Sequence, residues 1–264
     1  MIRADHIAIT FNRGTPLEMR ALRDIDITVP TGQFVTVIGS NGAGKSTLLN
    51  IFAGELVPDE GRVLVDDCDI TTWPVHRRAR MMARMFQDPR SGLCEAMSII
   101  ENIAVASART SPRGFRFSIN SEIRRAAVER LAMLGLGLER RLDEPASLLY
   151  GGQRQALALI MATLGPTRVL LLDEHTAALD PAAAELVMKL TDEVVHTLGI
   201  TTVMVTHSMR QALDYGTRII MLHQGHVTLD LSGEERSAVT MEELLRLFKR
   251  KEGLPAAEDE LLLT

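Results

Sequence analysis

Only two of the 264 residues are cysteine, Cys68 and Cys94. Two are too few for a disulfide framework or a cysteine-rich metal site, and the expectation is a chain kept in a reducing compartment. No stretch approaches the ~18–20 apolar residues that span a bilayer. The opening Met1-Ile2-Arg3-Ala4-Asp5-His6 has no apolar signal core. If the protein works at a membrane, something else must anchor it there. Basic charge is not in excess: the formal net charge is −5 and the sequence pI about 5.8, so bulk charge suggests no nucleic-acid partner. There is no internal repeat and no low-complexity tract. What remains is ordinary for a globular protein, 46% hydrophobic and 24% charged, of a length that suits one large domain or a domain with a subdomain.

The most informative stretch is Gly39-Ser40-Asn41-Gly42-Ala43-Gly44-Lys45-Ser46-Thr47. It sits between the apolar run Phe34-Val35-Thr36-Val37-Ile38 and the helix-like Leu48-Leu49-Asn50-Ile51-Phe52-Ala53. Strand, glycine-rich loop and helix in that order, with the spacing G-x-x-x-x-G-K-[ST], make a phosphate-binding loop. The glycines let successive backbone N–H groups face inward, with no Cβ to keep a phosphate away. The new helix turns its positive end toward the same anion. Lys45 supplies a mobile charge for the β- and γ-phosphates, and Ser46 offers a hydroxyl to Mg²⁺. A ligand-free glycine-rich turn is the alternative; the strand before it and the helix after it argue against that.

Along the chain, strands are expected over residues 2–11, 22–29 and 62–66, antiparallel and early, around the parallel strand that feeds the loop. The stretch from Thr72 to Arg80, with Arg77, Arg78 and Arg80, reads as a basic helix with a solvated face, a patch that touches a partner being the alternative. Strand 82–86 ends at Gln87-Asp88-Pro89. Residues 99–164 are mainly helical, broken at Ser111-Pro112-Arg113-Gly114. Met81, Met82, Met85 and Met133 read as core filler. The continuous apolar run Val169-Leu170-Leu171-Leu172, typical of a strand covered on both faces, ends in Asp173-Glu174. Asp180-Pro181 opens a helix to about Leu198 as cap and first helical residue. A strand over 202–205 ends at Thr206-His207. Two further strands, 218–222 and 227–230, are joined by a turn at Gln224-Gly225. The flanking His223 and His226 read as turn residues, with a metal pair as the alternative. A helix over 241–250 precedes a polar tail, 251–264.

Ligands of open α/β sheets gather at the carboxyl ends of the strands, so Lys45 and Ser46, Asp173-Glu174 and His207 are expected to face one site. Asp173 suits Mg²⁺ through a water. Glu174 can polarise an attacking water or take its proton. Simple strand termination is the alternative for the acidic pair.

On these residues the chain resembles the nucleotide-binding subunits of ATP-binding-cassette transporters, over residues 1–248. Gln87 in Phe86-Gln87-Asp88-Pro89 is similar to the family's Q-loop, which touches Mg²⁺ or the lytic water and senses the permease. Leu149-Tyr150-Gly151-Gly152-Gln153-Arg154-Gln155 resembles the LSGGQ signature, Leu179-Asp180 the D-loop, and His207 the switch histidine. Phe11 sits where the family places an adenine-stacking aromatic; a core strand aromatic is its alternative reading. The resemblance implies an α/β fold: a P-loop NTPase (RecA-like) core in a domain of residues 1–250, with an N-terminal antiparallel β-subdomain and an inserted helical subdomain at about 88–160. It also implies two ATP molecules sandwiched in a head-to-tail dimer. Each would lie on the P-loop of one copy and under Tyr150–Gln153 and Asp180 of the other. The implied partners are an integral membrane permease, a second cassette (a homodimer), and an extracytoplasmic binding protein acting indirectly, with the chain held peripherally on the cytoplasmic face.

Two departures stand out. The usual signature serine is Tyr150, whose hydroxyl lies too far from its backbone to make the serine's short phosphate contact. The Asp-Glu pair is followed by His175-Thr176-Ala177-Ala178 where many relatives have proline and serine; His175 reads as a tolerated loop residue, with a titratable group near the site as the alternative. Together with the P-loop wording they resemble a bacterial importer subgroup associated with aromatic amino acids, tryptophan or tyrosine. Readings that stay open are an exporter or lipoprotein-release ATPase subunit, a weakly hydrolysing regulatory cassette because of Tyr150, and a soluble cassette ATPase. The last usually carries two cassettes or long inserts, and this chain has neither.

Overall fold

A computed structural model describes residues 1–109 and 119–252. The expected helix break at 111–114 and residues 253–264 of the expected tail lie outside the described residues. The chain divides into two compact units: Met1–Arg78 with the described part of Gly199–Thr264, and Ala79–Leu198.

The first unit opens with β1 (Ile2–Phe11) and β2 (Met19–Val29), followed by β3 (Phe34–Ile38), α1 (Lys45–Ala53), β4 (Glu60–Val65), β5 (Cys68–Asp69) and the four-residue α2 (Val75–Arg78). The strands β2-β1-β4-β5 form one antiparallel sheet. The register of β1 on β2 slips at three places, and left-handed His6 and Asp24 lie in this irregular stretch. Of the solvated basic helix expected over Thr72–Arg80, only a short part forms; Arg77 and Arg80 are exposed as expected, but Arg78 is not. Only α2 is helical, and Arg78 is 1% exposed. Its guanidinium turns inward because four backbone carbonyls converge on it.

The second unit runs through β6 (Met82–Met85), α3 (Ile99–Ser107), α4 (Ser121–Ala132), α5 (Gly151–Thr163), β7 (Val169–Asp173) and α6 (Pro181–Leu198). Strands β6 and β7 are parallel, with Arg84 opposite Leu171 and Met85 opposite Leu172. Ser98 and Glu101 close a capping box at the start of α3. Met82 and Met85 are core as expected, but Met133 is 37% exposed, just past the end of α4.

The chain then returns to the first unit with β8 (Thr201–Val205), α7 (Met209–Asp214), β9 (Arg218–His223), β10 (His226–Ser232), α8 (Gly233–Ala238) and α9 (Met241–Glu252). Strand β3 has parallel partners on both sides, β8 and β9, and all five of its residues are buried, as its mostly apolar sequence requires, with the Thr36 hydroxyl donating to Arg218 O. Gln224 and Gly225, both at positive φ, make the two-residue hairpin between β9 and β10. Leu244 and Phe248, four apart on α9, pack with Met209 and Ala212 of α7 on Ile38, Ile219 and Met221.

Candidate functional site

The residues singled out from the sequence fall in both units, and each set has its own geometry. In the first unit, Gly39 and Gly44 adopt φ of 151° and 104°. A Cβ on Gly39 would stand 2.2 Å from the Leu222 carbonyl oxygen, and one on Gly44 2.7 Å from that of Ala21. The loop is therefore clamped against β2 and β9 at places only glycine can occupy. Gly44 is the N-cap of α1 and brings no side-chain cap, so the first N–H groups of the helix are left for an anion. Lys45 is buried, and its Nζ donates to the carbonyls of Gly39 (2.7 Å) and Ser40 (2.9 Å), arching the ammonium back over the loop. Ala43 N–H donates to Ser40 O and closes the turn. Asn41, Gly42 and Ser46 are exposed, and Thr47 is half-buried.

Phe11 ends β1 opposite Met19 and is half-buried rather than a core aromatic. His207 is exposed and follows β8 by two residues. Thr206 N–H donates to Val37 O (3.2 Å), so the P-loop and His207 leave neighbouring parallel strands at the same end.

In the second unit the parallel pair β6 and β7 does the same for Gln87 and Asp173-Glu174. Gln87 is exposed; Asp173 and Glu174 are half-buried. Glu174 sits at φ 48°, in the left-handed region, where the chain turns sharply out of β7. Asp173 does not stand alone: Nη2 of Arg84 donates to its Oδ2 at 2.6 Å. Asp88 accepts from Arg90, from both its backbone N–H and its guanidinium, and these bonds hold the Asp88 carboxyl below its usual range.

Gln155, 1% exposed, donates through Nε2 to the carbonyls of His175 (2.5 Å) and Phe86 (3.3 Å). It thereby ties the signature helix α5 to the residue before Gln87 and the residue after Glu174. His175 is not a tolerated loop residue. Its ring is buried beside Thr191 Oγ1 (3.2 Å), whose own hydroxyl donates to Val187 O (2.8 Å). The threonine oxygen therefore accepts from Nε2–H of a neutral ring. Burial pushes the His175 pKa down to about 4.

Between the unfolded His175 pKa near 6.5 and about 4, the unfolded chain binds a proton that the folded chain refuses, so acidification destabilises the fold. From pH 7 to 4.5 the wild type should lose about 2–3 kcal/mol that the His175→Gln variant keeps. Urea midpoints of both proteins at the two pH values check this, and equal pH dependence would refute it.

Helix α5 begins at Gly151, with Tyr150 as its N-cap, 80% exposed. The Tyr150 side chain makes no cap bond; instead its N–H donates to Gln153 Oε1 (3.2 Å). A Cβ on Gly151 would lie 3.1 Å from Leu179, and one on Gly152 3.2 Å from Ala183, so these glycines also let α5 approach α6. Asp180 caps α6 by accepting from Ala183 N–H (3.0 Å).

Chemically, the first unit offers a backbone anion cradle with a lysine, and the second a strand-end carboxylate pair. The Ser46 hydroxyl in the first unit and the Asp173 carboxylate in the second are each a hard oxygen donor of the kind Mg²⁺ takes. Arg84, Gln155 and His175 were missed as site residues. The only signal in the sequence was position: Arg84 two before the Phe86-Gln87 pair, Gln155 just past the signature glycines, His175 just past the carboxylates.

Residues 22–177 match the family described as ABC transporter. The tyrosine transport ATP-binding protein of Clostridioides difficile is 42% identical over 226 residues, covering 86% of this chain and 90% of that protein. The chain belongs to the ABC transporter family. It is an ATP-binding ATPase subunit of that family, with the expected P-loop NTPase architecture. An energy-coupling factor transporter ATP-binding protein, EcfA2 of Streptococcus thermophilus, is 34% identical, with 86% of this chain and 80% of that protein covered. Among solved structures, cbiO1 of Clostridium perfringens, part of the complex cbiONQ, superposes with a TM-score of 0.78 at 27% identity, covering 95% and 94% of the two chains. A dimeric ATP-binding cassette in a post-hydrolysis state, bound to ADP and Pi, gives 0.73 at 29% identity, covering 88% and 98%.

Proposed function

We propose that this cassette powers uptake of an aromatic amino acid of the tyrosine class through a separate membrane permease. The observation that carries the reading is the 42% identity to a tyrosine transport ATP-binding protein over 86% of this chain and 90% of that one. The relatives named for energy-coupling factor transport stand lower, at 34% for the first of them. No helix among the described residues is long and apolar enough to cross a membrane, which leaves that crossing to a partner. In this reading the cassette sits peripherally on the cytoplasmic face, and an extracytoplasmic binding protein delivers cargo without touching it.

The residue roles follow from the family. Gly39–Thr47 hold the phosphates, with Lys45 on the β- and γ-phosphates, and Phe11 stacks on adenine. Ser46, Gln87 and Asp173 would hold Mg²⁺, whose chemistry there is to neutralise phosphate charge. Glu174 acts on the attacking water and His207 steadies the γ-phosphate side. Tyr150, Gly151, Gly152, Gln153 and Asp180 belong to the surface that a second copy presents to the same nucleotide. The uncapped start of α1 and the glycine-rich start of α5 support both halves, since each is a helix N-terminus suited to an anion. The dimeric ADP-bound relative supports the pairing.

Tyr150 departs from the signature and makes no side-chain cap, so Tyr150→Ser should both cap α5, adding about 0.5–1 kcal/mol, and supply the short phosphate contact. Steady-state ATPase should rise about tenfold, the equivalent of one charge-assisted hydrogen bond. Equal or lower turnover rejects that role for position 150.

The uptake reading is tested by reconstituting the cassette in proteoliposomes with a candidate amino-acid permease and binding protein that co-purify with it. ATP-dependent tyrosine entry that is lost in Lys45→Ala supports it. A permease that stimulates the ATPase while no amino acid enters overturns it.

A further inference from the structure

Arg84 is the one residue of β6 that is not buried, in an otherwise apolar strand. Its register explains where its side chain goes. It lies opposite Leu171 of the parallel strand β7, and Asp173, two residues on, shares a face with Leu171. Two residues of strand are about 6–7 Å, a span an arginine stem covers. The resulting ion pair is short (2.6 Å) and shielded, with side-chain exposures of 12% for Arg84 and 18% for Asp173. Phe86, on the same face as Arg84, carries the guanidinium 4.9 Å from its ring centre. A cation therefore already sits on the carboxylate assigned above to Mg²⁺.

The same arginine also lines a cavity of about 270 Å³, together with Phe86, Asp88, Arg109 and Gln155. There Gln155 Oε1 is buried and has no hydrogen-bond partner among the described residues. The amide orientation is fixed, because Nε2 faces two carbonyls, so it is the acceptor that remains. A buried acceptor without a donor is costly, and a guanidinium is a donor with five N–H groups. Arg84 and this unpartnered acceptor thus line the same cavity.

We propose that Arg84 is a two-position positioning residue: it holds Asp173 when no metal is bound and swings toward Gln155 Oε1 when Mg²⁺ takes the carboxylate. The competition sets the Mg²⁺ concentration at which nucleotide is gripped tightly. It rests on the reading of Asp173 as a Mg²⁺ partner. The aromatic ring of Phe86, against which the guanidinium already lies, guides the swing. Because the two positions draw on the same guanidinium, metal binding and the packing around Gln155 change together, and Gln155 already ties α5 to both strand ends.

The test is equilibrium binding of ADP, which is not turned over, by calorimetry across a series of Mg²⁺ concentrations. Arg84→Met should move the half-saturating Mg²⁺ concentration down about tenfold, since a competitor worth one charge-assisted hydrogen bond is removed. Arg84→Lys keeps a cation in reach and should stay within about twofold of wild type. If Arg84→Met does not fold, Arg84→Gln serves in its place. Asp173→Asn separates the two failures. It should weaken the Mg²⁺ dependence and make it insensitive to a second change at Arg84. A Mg²⁺ dependence untouched by Asp173→Asn overturns the metal role of Asp173 and this proposal with it. A dependence that responds to Asp173→Asn but not to Arg84→Met overturns the arginine's role alone.

Discussion

Glu174→Gln is expected to lower steady-state ATPase by about 10²–10⁴-fold, the usual cost of losing a general base. The fold should be left within about 0.5 kcal/mol of wild type, because the side chain is half-buried and isosteric. The backbone makes a second substitution informative. Glu174 sits at φ 48°, a conformation that costs a non-glycine residue about 1 kcal/mol or more. Glu174→Gly relieves that strain while adding chain entropy to the unfolded state. It should therefore be as inactive as the glutamine variant and at least as stable as the wild type. Inactivity without loss of stability in both variants assigns the effect to the carboxylate. The glutamine variant should also retain ATP and accumulate as a dimer on gel filtration. Turnover near the wild-type rate in Glu174→Gln would remove the glutamate from the chemistry.

Local patterns carried the parts of this reading that depend on residues close in sequence. The P-loop was legible because its glycines, lysine and hydroxyl must lie at fixed spacing within nine residues, and both flanking elements are strongly patterned. The Asp180-Pro181 helix start and the Gln224-Gly225 hairpin were legible for the same reason. What could not be read depends on which strands pair and which loops are covered. The Arg84–Asp173 contact spans 89 positions and exists only because β6 and β7 are parallel in one register. His175 looks like any loop residue until α6 brings Thr191 against it. Met133 carries an apolar side chain, and nothing local says that the end of α4 leaves it exposed. Arg78 was misread most plainly: among Arg77, Arg78 and Arg80 the sequence shows a basic cluster, which ordinarily faces water. Arg77 does stay at the surface, its guanidinium 3.6 Å over the Trp73 ring, while its neighbour is swallowed.

Arg78→Ala is accordingly expected to be among the most damaging single changes away from the nucleotide. An α-helix ends with carbonyls that have no partner in the helix. At the end of α1 Gly54, at φ 83°, donates to Ile51 O, and the N–H groups of Glu55 and Leu56 reach Asn50 O. The Ile51 and Phe52 carbonyls each receive Nη1 of Arg78 at 2.7 Å, Thr71 O receives Nη2 at 2.8 Å and Trp73 O receives Nε at 3.0 Å. The positive charge also faces the negative end of the helix that carries Lys45 and Ser46 at its other end. Burial lowers the Arg78 pKa to about 10, so the guanidinium is still charged at neutral pH. Truncation takes the guanidinium from the Phe52, Thr71 and Trp73 carbonyls and leaves Ile51 O with Gly54 N–H alone, in a buried to part-buried place, a loss of about 3–5 kcal/mol. For a protein of this size that is a fall of about 10 °C in the thermal midpoint. Arg78→Lys should recover only part of it, because an ammonium on a flexible stem cannot meet four carbonyls at the angles a planar fork does. Gly54→Ala should be damaging through the same contact, since its Cβ would stand 2.7 Å from Arg78 Nε on a residue already at positive φ. Thermal melts of the three variants decide the matter: a shift of only a degree or two in Arg78→Ala would mean that the guanidinium does not hold the end of α1.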